Sequence, residues 1–416
     1  MSNNQIIVKE IDINKNKITY KYDISGQWKK YFREKAEFRI IYEEDITNVP
    51  KSICVIPLIA NILPISWYFD ATISLDEIDK GFYDSISEFK EGYMKMYPHL
   101  EFKGKIEVKN VIDNSYNTSE KVGMFYSGGV DATSTLVSHI DEKPILINLQ
   151  GSDIDIKNTK TINEVEKNFR KTVEKLGLKI TFVNTTFRKL IRIKKFDLIN
   201  KSKVKDNYWH GFQHGIGIIS HAAPIAYKYK LNKIYIASSF TEEYKSTCAS
   251  DPTIDNFVKL ASTIIVHDGY EFNRGNKINN ICGYVGKSNK NISLRVCFND
   301  QIPHNCEECE KCYRTIFQII ANGYNPKDFG FRMEYDFFKK AKIKFEREIL
   351  VEHSKFWKDI QNSIKVNKDK IKDYKELEWI LTYDFDTCNK HIIKYIIKIK
   401  KAIIKRFRRY ILKEMV

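Results

Sequence analysis

The sequence lacks the features that direct a chain into or through a membrane. Its start, MSNNQIIVKE, has no basic residues followed by an apolar run, so no secretory signal is expected. The most apolar long stretch, 53–69, is interrupted by Pro57, Asn61, Pro64 and Ser66. It reads as a buried strand or loop rather than a spanning helix. Internal repeats and low-complexity linkers are absent, which excludes solenoid arrays and tethered modules. Disulfides are not expected either, because four of the eight cysteines crowd into sixteen positions. Without a secretory start, that crowding favours a metal over cross-links and places the chain in a reducing cytoplasm.

What is present is enough for a folded protein of several parts. The chain has 416 residues, 43% hydrophobic and 13% aromatic, which can bury a substantial core. The net charge of +16 invites a polyanion as partner, yet much of it is local: residues 390–413 hold ten Lys or Arg and no acid. Residues 1–118 read as a β-rich region, with strands over 5–13, 17–22, 36–42 and 103–111 and a helix over 76–96. Residues 119–325 alternate short apolar runs (121–126, 144–149, 179–184, 233–237) with amphipathic segments, the pattern of an α/β parallel sheet flanked by helices. After Pro326 the chain becomes helical, charged and basic to residue 416.

The most informative segment begins at Gly123 and runs through Tyr126-Ser127-Gly128-Gly129-Val130-Asp131-Ala132-Thr133. A buried strand leads into two glycines, and a helix starts directly after them. Without a Cβ, the glycines let backbone N–H groups approach an anion, and the helix start adds its own N–H groups and positive dipole end. Ser127, Thr133 and Ser134 offer hydroxyls, and Asp131 can hold the Mg²⁺ that accompanies a pyrophosphate group. No lysine is present, which separates the loop from GxxxxGK[ST]. The GKS at Gly286-Lys287-Ser288 is a decoy, since the required glycine five positions earlier is Ile281; a polar loop is expected there.

Ser127-Gly128-Gly129-Val130-Asp131 resembles the SGGxDS signature of the PP-loop ATP pyrophosphatases. The resemblance implies that ATP is split between its α and β phosphates to activate a substrate, with Ser127 and Asp131 in catalytic roles. The last serine of the signature is Ala132 here. The lost hydroxyl contact is worth about 1 kcal/mol, and Thr133 stands next to it.

Cys297, Cys306, Cys309 and Cys312 form C-x8-C-x2-C-x2-C. Two overlapping C-x2-C steps present thiolates to one tetrahedral Zn²⁺ and leave no open position, so the metal is expected to be structural and to steady Arg295 and Arg314. This spacing downstream of a PP loop is similar to the 7-cyano-7-deazaguanine synthases over about 119–315. Those enzymes adenylate a carboxylate, admit ammonia to form an amide and dehydrate it to a nitrile.

Other polar groups are candidates for substrate or phosphate contact. His210 and His214 share one face at the start of an apolar segment read as a helix to about Lys228. Ser238 and Ser239 end a strand of the expected parallel sheet, as do Leu149 and Gln150, which fall near the adenine. Asp251, Arg274 and Lys277 lie in polar stretches beyond. Cys248 and Cys282 fall outside the metal set and leave open a second chemistry, sulfur transfer to tRNA or a small molecule. A non-enzymatic nucleotide-binding scaffold is a third reading. At the end of the chain, Ile393, Ile396, Ile397, Ile404, Phe407 and Ile411 follow helical spacing opposite a basic face. Such a helix packs on its own domain, lies on an anionic membrane surface or clamps RNA. The sequence thus leads to an α/β enzyme using ATP, Mg²⁺ and structural Zn²⁺ on a small-molecule acid, in the cytoplasm or at the inner membrane surface, with homo-oligomer formation left open.

Overall fold

A computed structural model describes residues 4–33, 38–243, 246–349, 351, 354–372, 374–387 and 399–403. They form two compact units, Met1–Asn273 and Arg274–Val416.

The first unit is built on one mixed, mostly parallel sheet of eleven strands. These are β1 (Gln5–Asn14), β2 (Lys17–Ser25), β3 (Arg39–Tyr42), β4 (Thr72–Asp79), β5 (Lys105–Ile112), β6 (Val122–Phe125), β7 (Ile145–Gln150), β8 (Lys179–Thr185), β9 (Lys233–Ala237), β10 (Lys259–Leu260) and β11 (Thr263–Asp268). Their order is β10-β11-β9-β6-β7-β8-β3-β2-β1-β4-β5. From β11 to β8, five neighbours run parallel. The interior residues of β6 and β9 are apolar without alternation, as two covered faces require, and β6 is buried throughout, whereas β11 alternates and leaves Ile264 exposed. β3 joins antiparallel to β8, and β2, β1, β4 and β5 continue the sheet.

The order of the parallel strands positions the site. The chain enters at β6, steps outward to β7 and β8, then crosses back to β9 and β11. Right-handed crossovers in opposite directions put their helices on opposite faces. The winding reverses between β6 and β9, and ligands of such sheets gather at the carboxyl ends of the strands beside that reversal.

Several local expectations are corrected. The apolar stretch 53–69 is neither strand nor loop but carries a helix, Ile56–Tyr68, with all but its last residue buried. A helix covered all round has no apolar stripe to read, and Pro57 sits in the first turn, where no N–H is needed. Its one amide is satisfied: Asn61 Nδ2 donates to Pro57 O at 2.8 Å, and Asn61 Oδ1 accepts from Gln213 Nε2 at 2.8 Å. The helix read over 76–96 begins only at Lys80. Asp79 ends β4 and caps the helix Lys80–Met96, its Oδ2 accepting from Phe82 N at 2.9 Å. The histidine segment is not one helix but a π-turn at Trp209–Gln213, then Ile216–Ile219 and Ala223–Tyr229. It breaks at Gly215, whose φ of +59° and close approach to Ala249 O admit no side chain.

The second unit is helical: Arg274–Ser288, Glu310–Ala321, Phe337–Arg347, Ser354–Val366 and Tyr374–Thr382. Gly283–Ser288 is the last part of the first of these and not a loop, because Ile278, Ile281, Cys282 and Val285 form a buried stripe at helical spacing. Phe345, Trp357 and Phe385 form its aromatic centre, with Trp357 stacked on Phe385 at 4.7 Å. The six apolar positions of the expected basic terminal helix lie outside the described residues. Among the described residues, no helix is long and apolar enough to cross a membrane.

One buried histidine ties the segment after Gly215 to the end of β8. His221 Nδ1 donates to Gly217 O at 2.7 Å and its Nε2 accepts from Thr185 Oγ1 at 2.9 Å. Burial holds its pKa down to about 4, against an ordinary 6.5. Between those values the unfolded chain carries a proton that the folded chain refuses. The stability His221 allows above pH 6.5 is therefore lost as pH falls toward 4, by roughly 2–3 kcal/mol. Urea midpoints measured between pH 7 and pH 4 should fall steeply for the wild type and less steeply for His221→Gln.

Candidate functional site

The glycine loop lies at the carboxyl end of β6. Tyr126 N donates to Ile147 O at 3.0 Å, and its carbonyl accepts from Asn148 Nδ2 at 2.8 Å, so β7 fixes the point where the loop departs. Gly128 takes φ +72°, a left-handed turn that favours glycine. Gly129 is the N-cap of the helix Val130–Ser138 and supplies no side-chain cap, leaving the first-turn N–H groups available to an anion. Ser127 is exposed, its Oγ accepting from Gly129 N at 3.4 Å, and Asp131 is half-buried in the first turn.

The side chains of Val130 and Ala132 point into the core, so a ligand meets only their backbone. Tyr126 is buried against Phe169, with ring centres 5.4 Å apart. Burial pushes its phenol up to about 12, with the Thr133 hydroxyl pulling the other way. Among the described residues, neither the Tyr126 nor the Thr133 oxygen finds a hydrogen-bond partner of normal geometry, and both are shielded from solvent.

Other strand ends converge on the same edge of the sheet. Leu149 and Gln150 close β7, half-buried; Gln150 donates to Glu166 at 3.0 Å and accepts from Asn184 at 3.3 Å. After β9, Ser238 is buried and donates to Phe240 O at 2.7 Å, whereas Ser239 is exposed.

His210, 27% exposed, bonds through Nδ1 to Asp206 Oδ2 at 3.0 Å. Asp206 also accepts from Tyr97 OH at 2.8 Å. Burial raises its pKa, but the bonds from His210 and Tyr97 outweigh this and hold it below the usual range. His214 Nδ1 lies 3.2 Å from Cys248 Sγ. Burial depresses the imidazole to about 4 and lifts the thiol to about 12, so this is a neutral pair and not an activated thiolate. Asp251 caps a short turn, accepting from Thr253 N at 2.9 Å.

Sequence reasoning missed three features here. Asn148 anchors the loop. Asp255 accepts from Ser250 Oγ at 2.7 Å and bonds His267 Nδ1 at 2.8 Å, all but sealed from solvent. Arg188 follows β8 as Ser127 follows β6. A reading that asks which polar residue follows each parallel strand would have found it.

The second unit holds the metal candidate and also carries Arg274 and Lys277. Arg274 Nη2 donates to Thr315 Oγ1 at 3.1 Å, and Lys277 is buried. The sulfurs of Cys297, Cys306, Cys309 and Cys312 all lie within 4.8 Å of one another, with Cys306 and Cys312 at 3.9 Å. Tetrahedral zinc with bonds of about 2.3 Å separates its sulfurs by about 3.8 Å, so the set fits such a metal. Backbone N–H groups of Asn299, Cys306 and Glu308 already point at these sulfurs at 3.3–3.4 Å. Glu307, at φ +58°, turns the knuckle and receives Arg332 N at 2.6 Å and Met333 N at 3.0 Å. Cys309 caps Glu310–Ala321, so a metal here would fix that helix's first turn.

No protein-family model matches the chain, and no curated protein matches it.

Elemental analysis of the purified chain should give one zinc per molecule, and Cys309→Ser should lose it together with thermal stability of the second unit. Alkylation mapped by mass spectrometry at neutral pH should leave Cys248 and Cys282 unlabelled in the native chain and label both after unfolding; burial lifts each thiol to about 12.

Proposed function

We propose that this chain is an ATP-dependent activating enzyme of the PP-loop ATP pyrophosphatase type. An oxygen of a small-molecule carboxylate or carbonyl attacks the α-phosphorus of ATP, and the bond to the β-phosphate oxygen breaks, releasing pyrophosphate. Ammonia or an amine then takes the acyl carbon, and AMP leaves with the C–O electron pair. The observation that carries this reading is the Gly128–Gly129 turn and uncapped helix start at the carboxyl end of β6, where the strand order reverses.

In this reading the loop backbone from Ser127 to Ala132 grips the departing pyrophosphate, with the Ser127 hydroxyl beside it. Asp131 is the carboxylate suited to Mg²⁺, which would neutralise charge on the leaving group. Gln150 closes the neighbouring strand, toward the base. The four cysteines hold a structural zinc, since four thiolates leave no position for a substrate. A 7-carboxy-7-deazaguanine-like acid is the nearest substrate, from the motif pair alone. Sulfur transfer draws less support, because Cys248 and Cys282 are both sealed and hard to ionise.

The test follows AMP and pyrophosphate from ATP, Mg²⁺ and ammonia, with 7-carboxy-7-deazaguanine as the first acid. AMP should form with the acid consumed, and Gly128→Val and Asp131→Ala should each lower the rate about a hundredfold or more. Production of ADP instead, or equal AMP from the variants, would sink the proposal.

A further inference from the structure

Among the described residues of the first unit, Arg188 is a half-buried cation that closes no ion pair. It stands three residues past β8, and its guanidinium lies on the Trp209 ring, 3.5 Å from the ring centre. Its Nη1 is buried and has no hydrogen-bond partner among the described residues. Asp153 and Asp197 act on it through space, but neither closes an ion pair among the described residues, and Asp197 Oδ1 is already taken by Tyr208 N at 2.7 Å. Burial lowers its pKa to about 10. A half-buried cation that closes no ion pair is costly, and such a cost persists where a ligand removes it.

The surroundings define the ligand. Stacking on an indole uses the faces of a guanidinium and leaves its N–H groups in the plane, the arrangement that matches a planar carboxylate by two parallel bonds. Trp209 itself packs against Phe187 at 6.0 Å and His214 at 5.0 Å, contacts that favour this position of the platform. With Asp153 and Asp197 also in range, a dianionic phosphate meets more repulsion than a singly charged carboxylate, so the planar fork rather than net charge selects the ligand. In the sheet, β8 is separated from β6 only by β7, which puts its end roughly 10 Å from the glycine loop's strand.

We propose that Arg188, laid on Trp209, is the receptor for a carboxylate of the acid substrate. For the ligand's role this rests on the activating-enzyme reading; for its binding it does not. The arginine orients the acid and touches no reacting phosphate, which separates it from the loop.

The experiment is ligand-observed NMR on the full chain with sodium benzoate, inorganic phosphate and inorganic pyrophosphate as probes, with thermal unfolding recorded for each variant. Benzoate should bind the wild type, and Arg188→Gln should weaken it about tenfold or more. Arg188→Lys, which keeps the charge but loses the fork, should also weaken it, and this decides the matter if Arg188→Gln fails to fold. Phosphate should not displace benzoate. Pyrophosphate should bind wild type and Arg188→Gln alike. Benzoate binding that is absent from the folded wild type, unchanged in both variants, or displaced equally by phosphate would overturn the proposal. Failure of pyrophosphate to bind any form would instead remove the loop reading and leave the benzoate result standing.

Discussion

Parallel strands cannot be joined by a tight turn; each must be left at one end and re-entered at the other. This constraint organises the first unit. Every time the chain leaves β6, β7, β8 or β9 it deposits a loop on the same edge, so Ser127, Gln150, Arg188 and Ser238 gather there although the sequence spreads them widely. The reversal between β6 and β9 then keeps helices from closing over that edge, and the glycine loop occupies the gap.

The N-terminal strands and helices serve this edge from below. Tyr93 OH donates to Phe212 O at 3.0 Å, Tyr97 OH to Asp206, and Asn61 bonds Gln213. The first and third hold the π-turn that carries Trp209 and His210 directly, and the second reaches it through the Asp206–His210 bond. A π-turn is rare and poorly supported by its own hydrogen bonds, so it depends on such outside partners. These bonds lie in a low-dielectric interior, where each is strong when made and expensive when lost. The aromatic packing of Tyr68, Phe196, Tyr208 and Phe212 fills the space between them.

What was legible in the sequence was what is local. The glycine loop, the apolar strands and the four-cysteine spacing each write their geometry into a few consecutive residues. Ile56–Tyr68 was not legible, because burial on every side erases the periodicity that marks a helix. The break at Gly215 depends on the carbonyl of Ala249, and the burial of Thr133 and Cys248 on neighbours from other elements. Arg188 was invisible for the same reason. A lone arginine between Phe187 and Lys189 says nothing until the crossover brings Trp209 under it. The charged GKS segment misled because its polar residues are local while its apolar stripe spans two turns.

The seam between β3 and β8 has a consequence for modularity. Ile40, Ile41 and Tyr42 pair with Thr185, Asn184 and Val183, so the parallel strands have no border of their own on that side. A chain trimmed back to the glycine-loop portion would leave β8 as a bare, strongly apolar margin, ready to recruit strands from other molecules. The outer strands, with Lys105, Glu107 and Lys109 along β5, move that margin to a place water tolerates. The two halves of this sheet therefore have to fold together: what reads in sequence as an added region is the selvedge without which the cloth unravels.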